Sequence, residues 1–147
     1  MKKKIAILGS TGSIGKSLLD IISKDRNNFD VVLLTANKSS RLLLLQAKKF
    51  KVKNVILTNI NEFNRNKFLF LRNKIRIYNN FKSLNKIFKK KIDYTMSAVI
   101  GLDGLYPTIE IIKFSKTIGI ANKESIICAW DLINKKLKKY KTNFIPI

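Results

Sequence analysis

Residues 5–17 read IAILGSTGSIGKS, and this stretch decides the fold class of the chain. The four apolar residues at its start are typical of a buried strand, and from Ser13 onward the apolar residues recur at helical spacing. Glycines at positions 9, 12 and 15 lie between the two patterns. The stretch therefore predicts a strand, a tight turn and a helix, an arrangement whose helix N-terminus offers backbone amides to an anion.

Two kinds of phosphate ligand match this turn incompletely. An NTPase loop requires Gly-x-x-x-x-Gly-Lys-Ser/Thr, which Gly15, Lys16 and Ser17 satisfy, but Ser10 stands where the first glycine is needed. The glycines form Gly-x-x-Gly-x-x-Gly instead, one residue wider at the front than the usual dinucleotide fingerprint. An NTPase also needs an aspartate at the end of a nearby strand, whereas Asp93 precedes its predicted strand. The sequence favours a dinucleotide with Lys16 on the helix surface, and a tight turn without any ligand is the plain alternative.

Apolar runs and helical patterns alternate from one end of the chain to the other, which predicts a mainly parallel sheet with helices on both faces, a doubly wound, Rossmann-like α/β fold. The predicted strands cover 5–8, 30–35, 54–58, 75–78, 94–98, 117–121 and 143–147. The predicted helices cover 13–23, 40–50, 61–72, 81–88, 107–114 and 124–140. Residues 1–147 thus form one domain, long enough at 46% hydrophobic residues to bury a core.

Ligands of such sheets bind beyond the carboxyl ends of the strands, near the point where the strand order reverses. Short segments of small and polar residues, called tips below, directly follow the ends of four predicted strands at that edge: GSTGSIG, ANKS, SAVIG and NKES. The second of these tips discriminates between cofactors. An NAD site usually has a carboxylate there for the ribose 2′-hydroxyl, but this tip has Asn37 and Lys38, with Arg41 soon after. The sequence therefore favours NADP over NAD.

Composition excludes several other classes of protein. No stretch approaches the roughly 18 uninterrupted apolar residues of a membrane span, and the N-terminus does not resemble a signal peptide. The chain has one cysteine, Cys128, and no histidine, which excludes an internal disulfide and histidine-based sites. We expect a cytoplasmic protein, with Cys128 as a small core residue and not a reactive thiol.

The formal net charge of +21 raises the question of nucleic acid. The chain has 25 Lys against 5 Arg, together with 15 Asn and 22 Ile, a bias expected when codons drift toward A and T. Specific nucleic-acid sites usually contain more arginine, whose planar fork reads phosphate and guanine with two bonds. We therefore expect no specific nucleic-acid or membrane partner, although non-specific, salt-sensitive anion binding follows from the charge.

Several blocks taken together resemble one family. GSTGSIGKSLLDII, TANKS, MSAVIGLDGLYPTIEII, IGIANKESI and NFIPI, in this order and spacing, are similar to the N-terminal domain of 1-deoxy-D-xylulose 5-phosphate reductoisomerases. The resemblance implies an enzyme that rearranges 1-deoxy-D-xylulose 5-phosphate and reduces the product with NADPH to 2-C-methyl-D-erythritol 4-phosphate, for isoprenoid synthesis. It also implies a divalent ion, magnesium or manganese, and a homodimer.

The resemblance assigns roles to individual positions. The NADPH pyrophosphate region is implied to contact the turn at Thr11, Gly12, Ser13 and Ile14. The adenosine ribose and its 2′-phosphate are implied to lie near Asn37, Lys38 and Ser39, although the family often has glycine in place of Asn37. The nicotinamide half is implied to contact Asn122 and Glu124, and the sugar-phosphate substrate Lys123. The plain alternative for Lys123 and Glu124 is that they cap the helix that follows.

The family pattern differs from this sequence after NFIPI. In the family, Asp-Ser-Glu follows and supplies two metal ligands, and a catalytic domain and a C-terminal helical domain come after it. We therefore expect residues 1–147 to be the NADPH-binding domain, without metal ligands and without turnover by itself. A basic, non-enzymatic module that binds nucleotide or nucleic acid, and a small NTPase, are the competing interpretations.

Overall fold

The computed structural model describes residues 1–147 and contains one seven-stranded sheet. The strands are β1 (Lys3–Leu8), β2 (Phe29–Ala36), β3 (Asn54–Leu57), β4 (Arg76–Tyr78), β5 (Ile92–Ser97), β6 (Ser115–Ile120) and β7 (Asn143–Pro146). Every neighbouring pair is parallel, and the order across the sheet is β4-β3-β2-β1-β5-β6-β7. The predicted parallel sheet is confirmed, and its strand order reverses between β1 and β5.

Six α-helices connect the strands. They are α1 (Ser13–Ser23), α2 (Ser40–Lys49), α3 (Ile60–Arg72), α4 (Leu84–Ile87), α5 (Leu105–Ile112) and α6 (Lys123–Tyr140). Short 3-10 turns, at Phe81–Ser83 and Leu102–Gly104, precede α4 and α5. All predicted elements exist, with ends displaced by no more than about two residues. The predicted helix over 81–88 is a 3-10 turn followed by a single α-helical turn.

The helices divide evenly between the two faces of the sheet. Successive side chains of a strand point to opposite faces. In β1, Ile5 and Ile7 therefore join the core beneath α1, α2 and α3, whereas Ala6 and Leu8 join the core beneath α4, α5 and α6. Because β1 is fully covered on both faces, it reads in sequence as a continuous apolar run. The doubly wound arrangement predicted from the sequence is confirmed.

Helix α6 contains a break that the sequence pattern does not show. Ala129 has φ −142° and ψ 29°, outside the helical region. Beyond the break Ile133 and Leu137 face the core, while Cys128 is exposed on the other side. The prediction that Cys128 is a core residue is therefore wrong, because it rested on the usual burial of a free cysteine and not on the pattern of the helix.

Lysine occupies three backbone positions that normally favour glycine. Lys51, Lys74 and Lys141 have φ of 55°, 61° and 51°, and each follows the end of a helix. In each case the next residue donates its N–H to the carbonyl five residues earlier, as in Val52 to Ala47 at 2.8 Å. This is the pattern of a Schellman helix end, in which a side chain at the left-handed position crowds the backbone.

We predict that Lys51→Gly and Lys74→Gly each raise the free energy of unfolding by about 0.5–1 kcal/mol, because glycine takes a positive φ without the Cβ clash. Urea denaturation followed by circular dichroism measures this change. Lys48→Gly is the matched control. It removes the same charge from a helical position of α2 and should lower the stability by up to about 1 kcal/mol. Destabilisation by all three variants would contradict the strain argument.

Candidate functional site

A cleft of about 700 Å³ opens at the carboxyl ends of β1, β2, β3 and β5, where the strand order reverses. It lies between the glycine turn after β1 and the segment that follows β5. Its walls are formed by Gly9, Thr11, Gly12, Thr35, Ala36, Asn37, Thr58, Phe81, Ala98, Val99, Ile100, Leu102, Asp103, Tyr106 and Pro107. The position is the one expected for a ligand of a doubly wound sheet.

Two glycines of the turn are required by packing within the chain. Gly9 has φ 81°, and a Cβ there would lie 2.8 Å from the carbonyl oxygen of Ala98. A Cβ on Gly15 would lie 2.5 Å from the carbonyl oxygen of Gly9. Glycine at these positions therefore lets α1 and the segment after β5 approach the turn closely.

Gly12 differs from the other two glycines. A Cβ there would meet only the Gly9 carbonyl oxygen, at the ordinary contact distance of 3.5 Å. Its φ of −78° is accessible to any residue. Nothing within the chain therefore requires glycine at position 12, although the residue lines the cleft. The missing side chain leaves room on the cleft side of the turn.

The backbone at this point carries free hydrogen-bond donors. Gly12 is the N-cap of α1, and the first turn of the helix contains no acidic residue. The amides of Thr11, Ser13 and Ile14 donate to no other group of the chain. Unpaired amides and the positive end of the helix dipole together form an anion-binding site.

A buried hydrogen-bond network fixes this turn to the neighbouring elements. Ser10 Oγ donates to Gln46 Oε1 at 2.8 Å, and Gln46 Nε2 donates back to the Ser10 carbonyl at 2.9 Å. Ser10 is fully buried and Gln46 is 7% exposed. The Gly9 amide donates to Thr35 Oγ1 at 3.0 Å. The turn is thereby held to α2 and β2, and none of these hydrogen bonds was predicted from the sequence.

The tip after β2 is open and polar. Asn37, Lys38 and Ser39 are all exposed, and Asn37 Nδ2 donates to Thr58 Oγ1 at 2.8 Å. One carboxylate approaches this region: Glu62 accepts from Ser40 Oγ at 3.0 Å and pairs with Arg65 at 2.9 Å. Asn66 Nδ2 also donates to this carboxylate, at 3.2 Å, so three neighbouring side chains engage Glu62. The tip therefore presents amide and ammonium groups outward.

Asn122 lies beneath the segment after β5. Its side chain is 3% exposed, and its Nδ2 donates to the carbonyls of Val99 at 2.6 Å and Gly101 at 2.5 Å. Its Oδ1 accepts from the Ser125 amide at 2.9 Å and so caps α6. A Cβ on Gly104 would collide with the Asn122 amide nitrogen. Asn122 thus joins the segment at 99–104 to the start of α6.

Lys123 and Glu124 form the first turn of α6, with Lys123 exposed and Glu124 half-buried. Of the ten residues assigned from the sequence, Thr11, Gly12 and Asn37 lie on the wall of the cleft. Ser13 and Ile14 follow in the adjacent helical turn, and the remaining residues surround the same edge of the sheet. Sequence reasoning missed Phe81, Asp103 and Tyr106 on the wall, because their neighbours in space come from distant parts of the chain.

The groups that an NTPase would need are placed differently. Lys16 is exposed on α1, and Asp93 lies at the opposite end of the sheet. Asp93 is the second residue of β5, so the prediction that it precedes its strand is wrong by two residues at the strand start. Its carboxylate accepts from Lys116 Nζ at 2.8 Å and from the Lys4 amide at 2.9 Å. These hydrogen bonds, that of Lys116 foremost, hold the pKa of Asp93 below its usual range.

No helix combines the length and the hydropathy needed to cross a membrane. No group of three or more cysteine, aspartate or glutamate side chains lies close enough together to hold a metal ion.

Comparison with known proteins gives a consistent result. The family model of 1-deoxy-D-xylulose 5-phosphate reductoisomerase matches residues 5–130. The reductoisomerase of Pelagibacter ubique is 60% identical over 99% of this chain, which spans 38% of that protein. The Zymomonas mobilis reductoisomerase, solved in complex with NADPH, is 30% identical with a TM-score of 0.89, over 99% of this chain and 38% of that one.

A second solved reductoisomerase, in complex with NADPH, fosmidomycin and magnesium, is 29% identical, also with a TM-score of 0.89, over 98% of this chain and 36% of that one. The chain therefore spans less than two-fifths of the length of the proteins it matches. Since the family model matches most of the sequence, this chain belongs to the 1-deoxy-D-xylulose 5-phosphate reductoisomerase family.

Proposed function

We propose that this chain is the NADPH-binding domain of a 1-deoxy-D-xylulose 5-phosphate reductoisomerase. The single observation that carries the proposal is the geometry at Gly12, where packing within the chain does not require glycine although the residue lines the cleft beside free amides. Relatives with this fold were solved with NADPH bound. The full reaction is the rearrangement of 1-deoxy-D-xylulose 5-phosphate and its reduction to 2-C-methyl-D-erythritol 4-phosphate.

The pyrophosphate of NADPH is assigned to the N-terminus of α1. The amides of Thr11, Ser13 and Ile14 donate to its oxygens, and Gly12 allows the close approach. Lys16 extends from the outer surface of α1 and takes no part in binding. The chain contributes fixed backbone donors at this point, so little conformational freedom is lost when the cofactor binds.

The adenosine ribose and its 2′-phosphate are assigned to the tip after β2. Asn37, Lys38 and Ser39 present donors there, and Arg41 adds an exposed cation in the first turn of α2. Glu62 is engaged by Ser40 and Arg65 and does not replace the ribose-binding carboxylate of an NAD site. This arrangement supports a preference for NADPH over NADH.

The nicotinamide half and the substrate are assigned to the start of α6. Glu124 lies at the cofactor side, and the ammonium of Lys123 binds the anionic sugar phosphate. Asn122 acts on the cofactor through the segment at 99–104, because its amide is already bonded to Val99, Gly101 and Ser125. It is a positioning residue in this proposal and its contact with the cofactor is indirect.

The remaining parts of the activity belong to the full-length enzyme. A divalent ion, magnesium or manganese, would polarise the substrate oxygens in that enzyme, and relatives were solved with magnesium. Catalytic and C-terminal helical domains and a homodimer are part of the same proposal. Cys128 forms no disulfide, which suits the reducing cytoplasm to which we assign the protein.

We predict that NADPH binds this chain more tightly than NADH or ATP in calorimetric titration at moderate salt. Gly12→Ala should leave the melting temperature unchanged within about 2 °C, since its Cβ makes an ordinary contact, while lowering the NADPH affinity at least about tenfold. Gly12→Glu should abolish binding through steric and charge repulsion.

Lys16→Ala is the matched control, and it should retain NADPH affinity within about threefold because this lysine lies outside the site. Gly15→Ala should instead lower the melting temperature strongly, because its Cβ would collide with backbone. Equal binding of all three nucleotides, unaffected by Gly12→Glu, would show that net charge and not the cleft captures them.

We further predict that Gln46→Ala destabilises the chain by about 1–3 kcal/mol, because Ser10 loses its buried hydrogen-bond partner. NADPH affinity should fall as well, and hydrogen exchange of the Gly9, Ser10 and Gly12 amides, which are hydrogen-bonded in the native turn, should become faster. Ser23→Ala removes an exposed hydrogen bond at the far end of α1 and should change the stability by less than about 0.5 kcal/mol. Unchanged exchange at the turn in Gln46→Ala would contradict the positioning role.

A further inference from the structure

The end of the sheet opposite the cleft has a distinctive distribution of charge. In a parallel sheet all strands begin at one edge, and here a segment at or just before the start of each of the seven strands carries at least two cations. In order across the sheet these segments are 72–76, 48–53, 24–28, 2–4, 86–91, 113–116 and 135–141. We call this set of segments the basic edge. It contains most of the 30 lysines and arginines of the chain.

The charge of the basic edge is almost unneutralised. The chain has two ion pairs, Arg65 with Glu62 and Lys116 with Asp93, and only the second lies at this edge. Asp93 also accepts the Lys4 amide. Asp25 accepts from the Asn28 amide group at 2.8 Å. The other cations of the edge have no carboxylate within ion-pair distance, so their fields add.

The dimensions of the basic edge suit an extended ligand. Seven strands about 4.8 Å apart span roughly 29 Å, which exceeds the size of a single phosphate or nucleotide. The edge is separated from the cofactor cleft by the length of a six-residue strand such as β1, roughly 20 Å. A polyanion bound here therefore leaves the cleft free.

The side chains of the basic edge identify the kind of polyanion. Lysine predominates, and its ammonium is a flexible point charge that contacts phosphate without reading a base. Two partly buried aromatic rings at this end lie under cations, with Arg26 4.8 Å from the Phe50 ring and Lys113 5.0 Å from that of Phe114. These rings do not project for insertion into a lipid surface. The arrangement favours a hydrophilic phosphodiester chain over a membrane.

We propose that the basic edge binds the phosphate backbone of nucleic acid without sequence preference, at a site separate from the cofactor cleft. Binding rests on several lysine contacts and the release of counterions. The cofactor site and this site occupy opposite ends of the same sheet, so one chain holds both ligands at once. The proposal does not depend on the function assigned to the cleft.

The test is fluorescence anisotropy with a labelled 20-nucleotide DNA single strand of mixed sequence, at 50–200 mM salt, with and without NADPH. We expect the logarithm of the affinity to fall linearly with the logarithm of the salt concentration, with a slope of about −0.7 per neutralised phosphate. NADPH should not displace the strand. A second strand of different sequence should bind equally.

Two triple variants of equal net charge locate the site. Lys24→Gln, Lys53→Gln and Lys90→Gln together remove exposed cations before β2, β3 and β5, and should weaken binding at least tenfold with a shallower salt slope. Lys16→Gln, Lys67→Gln and Lys82→Gln together remove cations elsewhere and should change the affinity less than threefold. Melting temperatures of both variants check that each is folded.

Four results would overturn the proposal: no binding at 50 mM salt, equal weakening by both triple variants, displacement of the strand by NADPH, or tighter binding to phosphatidylserine vesicles than to DNA at equal phosphate. Equal weakening would assign the effect to net charge alone. Displacement by NADPH would place the strand in the cleft, and preference for vesicles would make the partner a membrane.

Discussion

The structure depends on the close approach of three backbone segments around the first turn. Gly9 lies against the carbonyl of Ala98, and Gly15 lies against the carbonyl of Gly9. Both contacts are too short for a Cβ. They bring α1 and the segment after β5 to the same point, and this point is where the strand order reverses. The cleft exists because two adjacent connections pass in opposite directions above it.

Hydrogen bonding makes this approach specific. Ser10 is buried in the turn and has polar atoms that must be satisfied. Gln46 satisfies two of them from α2, and Thr35 engages the turn from the end of β2. On the other side Asn122 holds the segment at 99–104 in the same manner. The buried side-chain amides of Gln46 in α2 and of Asn122 at the N-cap of α6 thus set the shape of an opening whose walls come from strand ends, turns and the start of α5.

The sequence predicts the fold almost completely and the site in part. The apolar pattern of a strand or a helix is local in the sequence. The strand at Ile5 to Leu8 and the apolar face of α1 can therefore be predicted without knowing what they pack against. Thr11, Gly12 and Asn37 were found because the residues after each strand gather at one edge. Gln46 was missed because a single polar residue in a helical stripe gives no sign of its distant partner. Cys128 was misplaced because residue type alone does not tell which face of α6 it occupies, and the break at Ala129 has no signal in the sequence.

The uneven distribution of charge makes the two ends of the sheet electrically different. Cations gather where helices end and strands begin, including the three lysines held in left-handed conformations, while the cleft lies at the other end of every strand. A body with its charge displaced in this way has a large electric dipole and turns as it nears a negatively charged surface. It settles with the lysines toward that surface and the cleft toward solution. Adsorption on a cation-exchange matrix therefore yields an oriented layer whose cofactor openings all face the solvent.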